Sequence, residues 1–183
     1  MRVPSLLCFL GLPSTWAAAG DDDLITTLPG AEAMTFPKMF SGYLSLPGTE
    51  KNVFYWLVEA EESPDTAPVA LWTNGGPGCS GLTGFMTEQG PFHIGAEGQL
   101  EANPYAWNKK ANMLFVEQPV GVGFSFSDDD SDYHTGDWDA AKDNYAAILA
   151  FRQKYPALND RDFYLTAESC ESTKLPSCVV HPR

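Results

Sequence analysis

Met113-Leu114-Phe115-Val116 is an unbroken apolar run between polar flanks. Four large apolar residues in a row cannot alternate between a wet face and a dry one, so a strand here is buried on both faces. Such a strand needs layers above and below it, which confines the chain to layered folds. The flanking patterns fit. Ser41 to Leu46 alternates toward a turn at Pro47-Gly48, and Val53 to Val58 is aromatic and β-branched; both read as strands. After a turn over Glu61 to Thr66, Pro68 to Trp72 reads as a third strand, a meander running into the sheet. Leu82 to Met86 reads as a short helix that stops at Gly90-Pro91. Asp137 to Tyr155 is the clearest helix, with Asp137 as its cap, Asp139 near its positive end and Pro156 beyond it. Trp138, Ala141, Tyr145, Ile148 and Leu149 form one apolar stripe along it. Phe163 to Thr166 is a further strand, leading into Ala167-Glu168-Ser169. The fold class is therefore α/β: an antiparallel start, then parallel strands with helices.

Composition narrows the function. The chain has 183 residues, 44% hydrophobic and 19% charged, which suits one globular domain. Its formal net charge of −13 repels phosphate, so neither nucleic acid nor an anionic membrane is an expected partner. Residues 1–19 read as a secretory signal peptide: Arg2, a short apolar core over Leu6 to Leu12, then Ala17-Ala18-Ala19. The rest is expected to work in an oxidising compartment. Of four cysteines, Cys8 lies in that leader, and Cys79, Cys170 and Cys178 remain. An odd number leaves one unpaired or with a partner outside this chain. The acidic run Ser127 to Asp132 lacks the Gly and distal Glu of a calcium loop and reads as a solvated loop.

The segment from Thr73 to Gly81 (Thr-Asn-Gly-Gly-Pro-Gly-Cys-Ser-Gly) follows the third strand. A phosphate-cradling loop would carry Lys and Ser or Thr after its last glycine, and here Cys79-Ser80 follow Gly78. Gly76-x-Gly78-x-x-Gly81 has dinucleotide spacing, but Pro77 removes an amide where a pyrophosphate needs one. A plain hairpin turn at Asn74-Gly75 is the bland alternative. Backbone amides presented to a developing oxyanion fit better, each such donor being worth about 2.7–4 kcal/mol in a transition state. The nucleophile for such a site would be Ser169, where a strand-to-helix elbow lifts a serine above the sheet edge.

Trp72 to Ser80 resembles the signature of the serine carboxypeptidases, a branch of the α/β-hydrolases. So do Phe40 to Leu44, Phe54-Tyr55-Trp56, Glu88 to Phe92, Trp107-Asn108-Lys109, Glu117 to Phe126 and Phe163 to Ser169. The resemblance implies that residues 20–169 are the N-terminal part of such a domain, an incomplete α/β-hydrolase sheet, with 170–183 a divergent tail. It implies Ser169 as nucleophile and the amides of Gly76 and Cys170 as oxyanion donors. Asn74, Gly75 and Glu168 would hold the C-terminal carboxylate of a peptide substrate, Glu88 would partner Glu168, and Trp72 would wall the site. Two glutamates in contact cannot both stay ionised cheaply, so one could donate a hydrogen bond to that carboxylate. Cys79 would pair with a cysteine outside this chain. No metal or organic cofactor is implied, and the compartment would be extracellular, vacuolar or lysosomal.

The implied activity is removal of C-terminal residues from peptides; the alternatives are a carboxypeptidase-like acyltransferase and a non-catalytic binder of peptide carboxylates. The elbow departs from the family pattern at Ala167, Cys170, Glu171 and Ser172. The triad should continue Ser, Asp, His along the chain. No Asp follows Ser169, and His181 comes only twelve residues later. His93 and His134 read as ordinary surface or loop histidines. The expectation is a truncated chain, inactive in isolation.

Overall fold

The computed structural model describes residues 20–31 and 34–170. Residues 1–19, expected as a signal peptide, and 171–183, nearly all of the expected tail with Cys178 and His181, lie outside the described residues. Within them run β1 (Met39–Ser45), β2 (Lys51–Val58), β3 (Val69–Thr73), α1 (Gly81–Thr87), β4 (Phe92–Ile94) and β5 (Leu100–Ala102). Then come β6 (Asn112–Val116), β7 (Phe126–Ser127), α2 (Asp137–Lys154) and β8 (Phe163–Ala167). The main sheet has the order β1-β2-β6-β3-β8, with β7 on the start of β2, and β4-β5 form a separate hairpin.

β1 and β2 are antiparallel, as are β2 and β6; β6, β3 and β8 are parallel. The antiparallel start followed by parallel strands is thus present, but the meander ends at β2. β6, not β3, sits beside β2, and β3 lies one place further out. The reason is burial. All five residues of β6 are buried, and so the run around Met113 takes a place with a neighbour on each side. Its side chains alternate between two cores. Leu114 and Val116 join Phe40, Leu57, Val69, Leu71, Phe151 and Tyr155 on the α2 side. Met113 and Phe115 join Trp56, Ala70, Trp72, Phe85 and Phe92 on the α1 side. Parallel pairs need crossovers, and α1 with the β4-β5 hairpin fills the one between β3 and β6, while α2 fills the one between β6 and β8.

Two readings of α2 are corrected. Its N-cap is Gly136, with extended backbone and no side-chain cap, so Asp137 is the first helical residue. Asp137 and Asp139 both lie in the first turn, where the helix dipole favours them. The buried face is Ala140, Ala141, Asn144, Ala147 and Phe151, whereas Trp138, Tyr145 and Leu149 are exposed. Small alanines let the helix axis approach the sheet, and Phe151 near its end packs against Tyr155. Of the expected stripe, Ala141 is fully buried and Ile148 packs partly against the core.

The acidic run is exposed over Asp128 to Ser131, as a solvated loop is, while Ser127 and Asp132 at its ends are drawn in. Asp132 accepts from Ser127 Oγ at 2.6 Å and faces Lys51 Nζ at 3.7 Å. Lys51, itself nearly buried, donates to Asp143 of α2 at 2.7 Å. Burial pushes the Asp143 carboxyl above its ordinary range; Lys51 opposes this, while Asp132 and Asp139 add to it. Burial works against the Lys51 charge too, but Asp143 and Asp132 outweigh it and hold the ammonium above its usual value. The folded state therefore binds a proton at Asp143 more readily than the unfolded chain does. Its contribution to stability grows as pH falls through that window and is lost as pH rises through the folded pKa. Urea titrations of wild type and Asp143→Asn should show the wild type gaining on the variant between neutral and mildly acid pH. A constant difference across that range would contradict this.

Candidate active site

β3 and β8 are adjacent and parallel, with Thr73 opposite Ala167. Their following loops, 74–80 and 168–170, therefore leave the sheet at the same end, outside the carboxyl ends of the strands, where open α/β sheets bind ligands. Glu168 N–H donates to Thr73 O at 3.3 Å, carrying the pairing one residue further. The chain then turns at Ser169, whose φ of 55° is left-handed, a conformation sparsely used by residues with a Cβ. Strained serines at such strand ends present their hydroxyl above the sheet.

The glycines have a steric cause. A Cβ on Gly75 would lie 2.8 Å from Ser169 Cβ, 2.8 Å from Glu168 O and 3.4 Å from Cys170 N. Only a residue without a side chain lets the two loops meet this closely. Gly76 has φ of 116°, and a Cβ there would lie 2.9 Å from Cys79 N. The loop closes on itself through Cys79 N–H to Gly75 O at 2.9 Å.

Asn74 organises the floor and is almost fully buried. Its Oδ1 accepts from Trp72 Nε1 at 2.7 Å and from Gly84 N–H of α1 at 3.1 Å. Those two donors fix the side-chain amide so that Nδ2 points outward, and it donates to Glu168 Oε2 at 3.1 Å. Trp72 is buried and meets Trp107 edge-on, with centroids 5.6 Å apart, so its ring also orients Asn74. Glu168 and Ser169 are exposed.

The structure thus brings together Trp72, Asn74, Gly75, Glu168, Ser169 and Cys170, with Gly76 next in the loop. The Glu88 carboxylate makes no hydrogen bond to Glu168 among the described residues, Glu168 accepting from Asn74 instead. Glu88 caps α1, its carbonyl accepts from Asn103 Nδ2 at 2.8 Å and a His93 ring nitrogen lies 3.0 Å away. Cys79 is an exposed thiol without a disulfide among the described residues. His93 lies on β4, and His134 is exposed at the end of a short 3-10 turn.

Two contributors escaped the sequence reading. Ser80 caps α1, its Oγ accepting from Leu82 N–H at 3.1 Å, and Glu117 is buried beneath it. A serine just before an apolar helical segment is a recognisable cap signal. An isolated acid at the end of the Met113 to Val116 run was the other available clue.

The family pattern described as serine carboxypeptidase matches residues 29–172. The chain belongs to the serine carboxypeptidase family. It is 45% identical over 176 residues to the lysosomal protective protein of Mus musculus, covering 96% of this chain and 37% of that protein. Serine carboxypeptidase-like 20 of Arabidopsis thaliana is 41% identical over 168 residues, 87% of this chain and 34% of the relative. Among solved structures, a prohormone-processing carboxypeptidase from Saccharomyces cerevisiae, Kex1(delta)p, superposes with a TM-score of 0.79 at 26% identity. That match covers 92% of this chain and 38% of the yeast protein. The chain spans little more than a third of the length of these relatives. The α/β sheet of this serine carboxypeptidase chain is that of the family's hydrolase fold.

Proposed function

We propose that this chain carries the nucleophile and the carboxylate-recognition part of a serine-type carboxypeptidase site. The observation that carries the reading is the meeting of Gly75 with Ser169 at the shared end of β3 and β8. Ser169 attacks the scissile carbonyl, and the amides of Gly76 and Cys170 receive the oxyanion. Asn74 Nδ2, the amide of Gly75 and the carboxyl O–H of a neutral Glu168 donate to the substrate's free C-terminal carboxylate, with Trp72 behind them. Asn74 suits this role because its Oδ1 is saturated by two protein donors and its Nδ2 faces out. Glu88, the C-cap of α1, is the partner of Glu168 in the same pocket.

Hydrolysis also needs a base beside Ser169. Among the described residues neither His93 nor His134 bonds to it, and no Asp follows it in the chain. The 183 residues alone therefore bind a peptide carboxylate without turning it over. The apolar N-terminal stretch and the name of the mouse relative favour the secretory pathway, with lysosome, vacuole or exterior as destination.

The test is binding of a benzoyl-capped dipeptide as its free acid and as its C-terminal amide, alongside labelling by a fluorophosphonate. The acid should bind at least about tenfold tighter, the equivalent of one charge-assisted hydrogen bond, and labelling should be negligible. Equal binding of acid and amide, or of neither, would overturn the carboxylate reading. Stoichiometric labelling of Ser169 would overturn the inactivity of the chain by itself.

A further inference from the structure

Glu117 follows β6 and is 1% exposed. Among the described residues it has no ion-pair partner. A carboxylate removed from water without a cation is costly unless donors surround it. Two do. Ser80 Oγ donates to Oε1, and Phe124 N–H donates to Oε2 at 2.6 Å. The backbone of Glu117 is held as firmly: its N–H donates to Phe54 O at 3.0 Å, and its carbonyl accepts from Ser125 Oγ at 2.5 Å. Gly123 is left-handed, with φ of 54°, and a Cβ on it would collide with the Glu117 carboxylate. The chain is thus wrapped around this one anion.

From the carboxylate a continuous set of bonds runs to the candidate pocket. Ser80 caps α1, so whatever fixes its hydroxyl fixes the first turn of that helix. The Gly84 amide of the same helix sets the orientation of Asn74, and Asn74 holds Glu168. We infer that Glu117 is a positioning residue for the peptide-carboxylate pocket, acting through Ser80 and α1 on Asn74. The inference deepens the proposed function and rests on it for the identity of the ligand. The bond path itself stands on the geometry alone. The chemistry demands a carboxylate, because both of its oxygens accept. A glutamine offers one carbonyl oxygen and turns its NH2 against the second donor.

The test uses the full chain and hydrogen exchange. In Glu117→Gln, the amides of Leu82 and Gly84 should exchange about tenfold faster, and the Asn74 side-chain NMR signal should move. Leu114 and Phe115 of β6 should keep their protection. Ser80→Ala retains the carboxylate and removes both its link to α1 and the cap on Leu82. It should open Gly84 likewise, and adding E117Q to S80A should open Gly84 no further, since neighbours in one path are not additive. Unchanged exchange at Gly84 in either single variant, or additive effects in the double, would overturn the inference. If E117Q does not fold, Glu117→Asp, whose carboxylate is one methylene shorter, takes its place in the same comparison. Binding of the capped dipeptide acid should weaken about tenfold in E117Q. Absence of binding by the wild type counts against the proposed function, while the exchange comparison still decides the role of Glu117.

Discussion

Gly81→Ala is expected to destabilise the chain by about 3 kcal/mol, the upper part of the range for forcing extra volume into a packed interior. Gly81 opens α1, and a Cβ on it would sit inside the carbonyl of Val116, the last residue of β6. The obstacle is backbone in a strand paired on both sides, so it cannot swing away as a side chain could. α1 must retreat instead, which withdraws the Gly84 amide from Asn74. Gly136→Ala is the control, because a Cβ there meets nothing within 4 Å. It should cost less than about 1 kcal/mol, chiefly through the poorer cap that alanine makes. Urea denaturation of both variants measures the difference. Equal losses would mean that the approach of α1 to β6 is not the constraint described here.

Asn74→Ala should lose about 2 kcal/mol or more, because two buried donors, Trp72 Nε1 and the Gly84 amide, are left without an acceptor. The same change frees Glu168. Asn74→Asp separates the two consequences. Its carboxylate still accepts from Trp72 and Gly84 but puts a negative charge and no donor beside Glu168 and the ligand's carboxylate. N74D should therefore denature at higher urea than N74A, yet discriminate no better than N74A between the dipeptide acid and its amide. If N74A denatures at the wild-type urea concentration, the hub role of Asn74 is contradicted.

The parts of this architecture legible in the sequence were those written in short, saturated patterns. Met113 to Val116 could only be a strand covered on both faces, and it is. The crowd of glycines from Gly75 to Gly81 read as a loop baring its backbone amides toward a serine after the last strand, and Gly75 meets Ser169. Strand order was not legible, because the pairing of β2 with β6 joins residues some sixty positions apart and leaves no local trace. The buried face of α2 was misread for a related reason. Its large apolar residues, Trp138, Tyr145 and Leu149, drew the stripe, whereas alanines that allow close approach to the sheet determine which side turns inward. The β4-β5 hairpin is too short, and too mixed in residues such as His93 and Glu101, to show a period. Glu117 carries no signal of its partners, since Ser80 and Phe124 reach it only through the fold.

The central claim is that the glycine loop and the serine turn touch. An NMR measurement on the chain should show a strong through-space cross-peak between the α-protons of Gly75 and the β-protons of Ser169. Leu71 and Leu165, paired in the neighbouring strands, serve as the internal reference. A cross-peak between Leu71 and Leu165 with none between Gly75 and Ser169 would contradict the account.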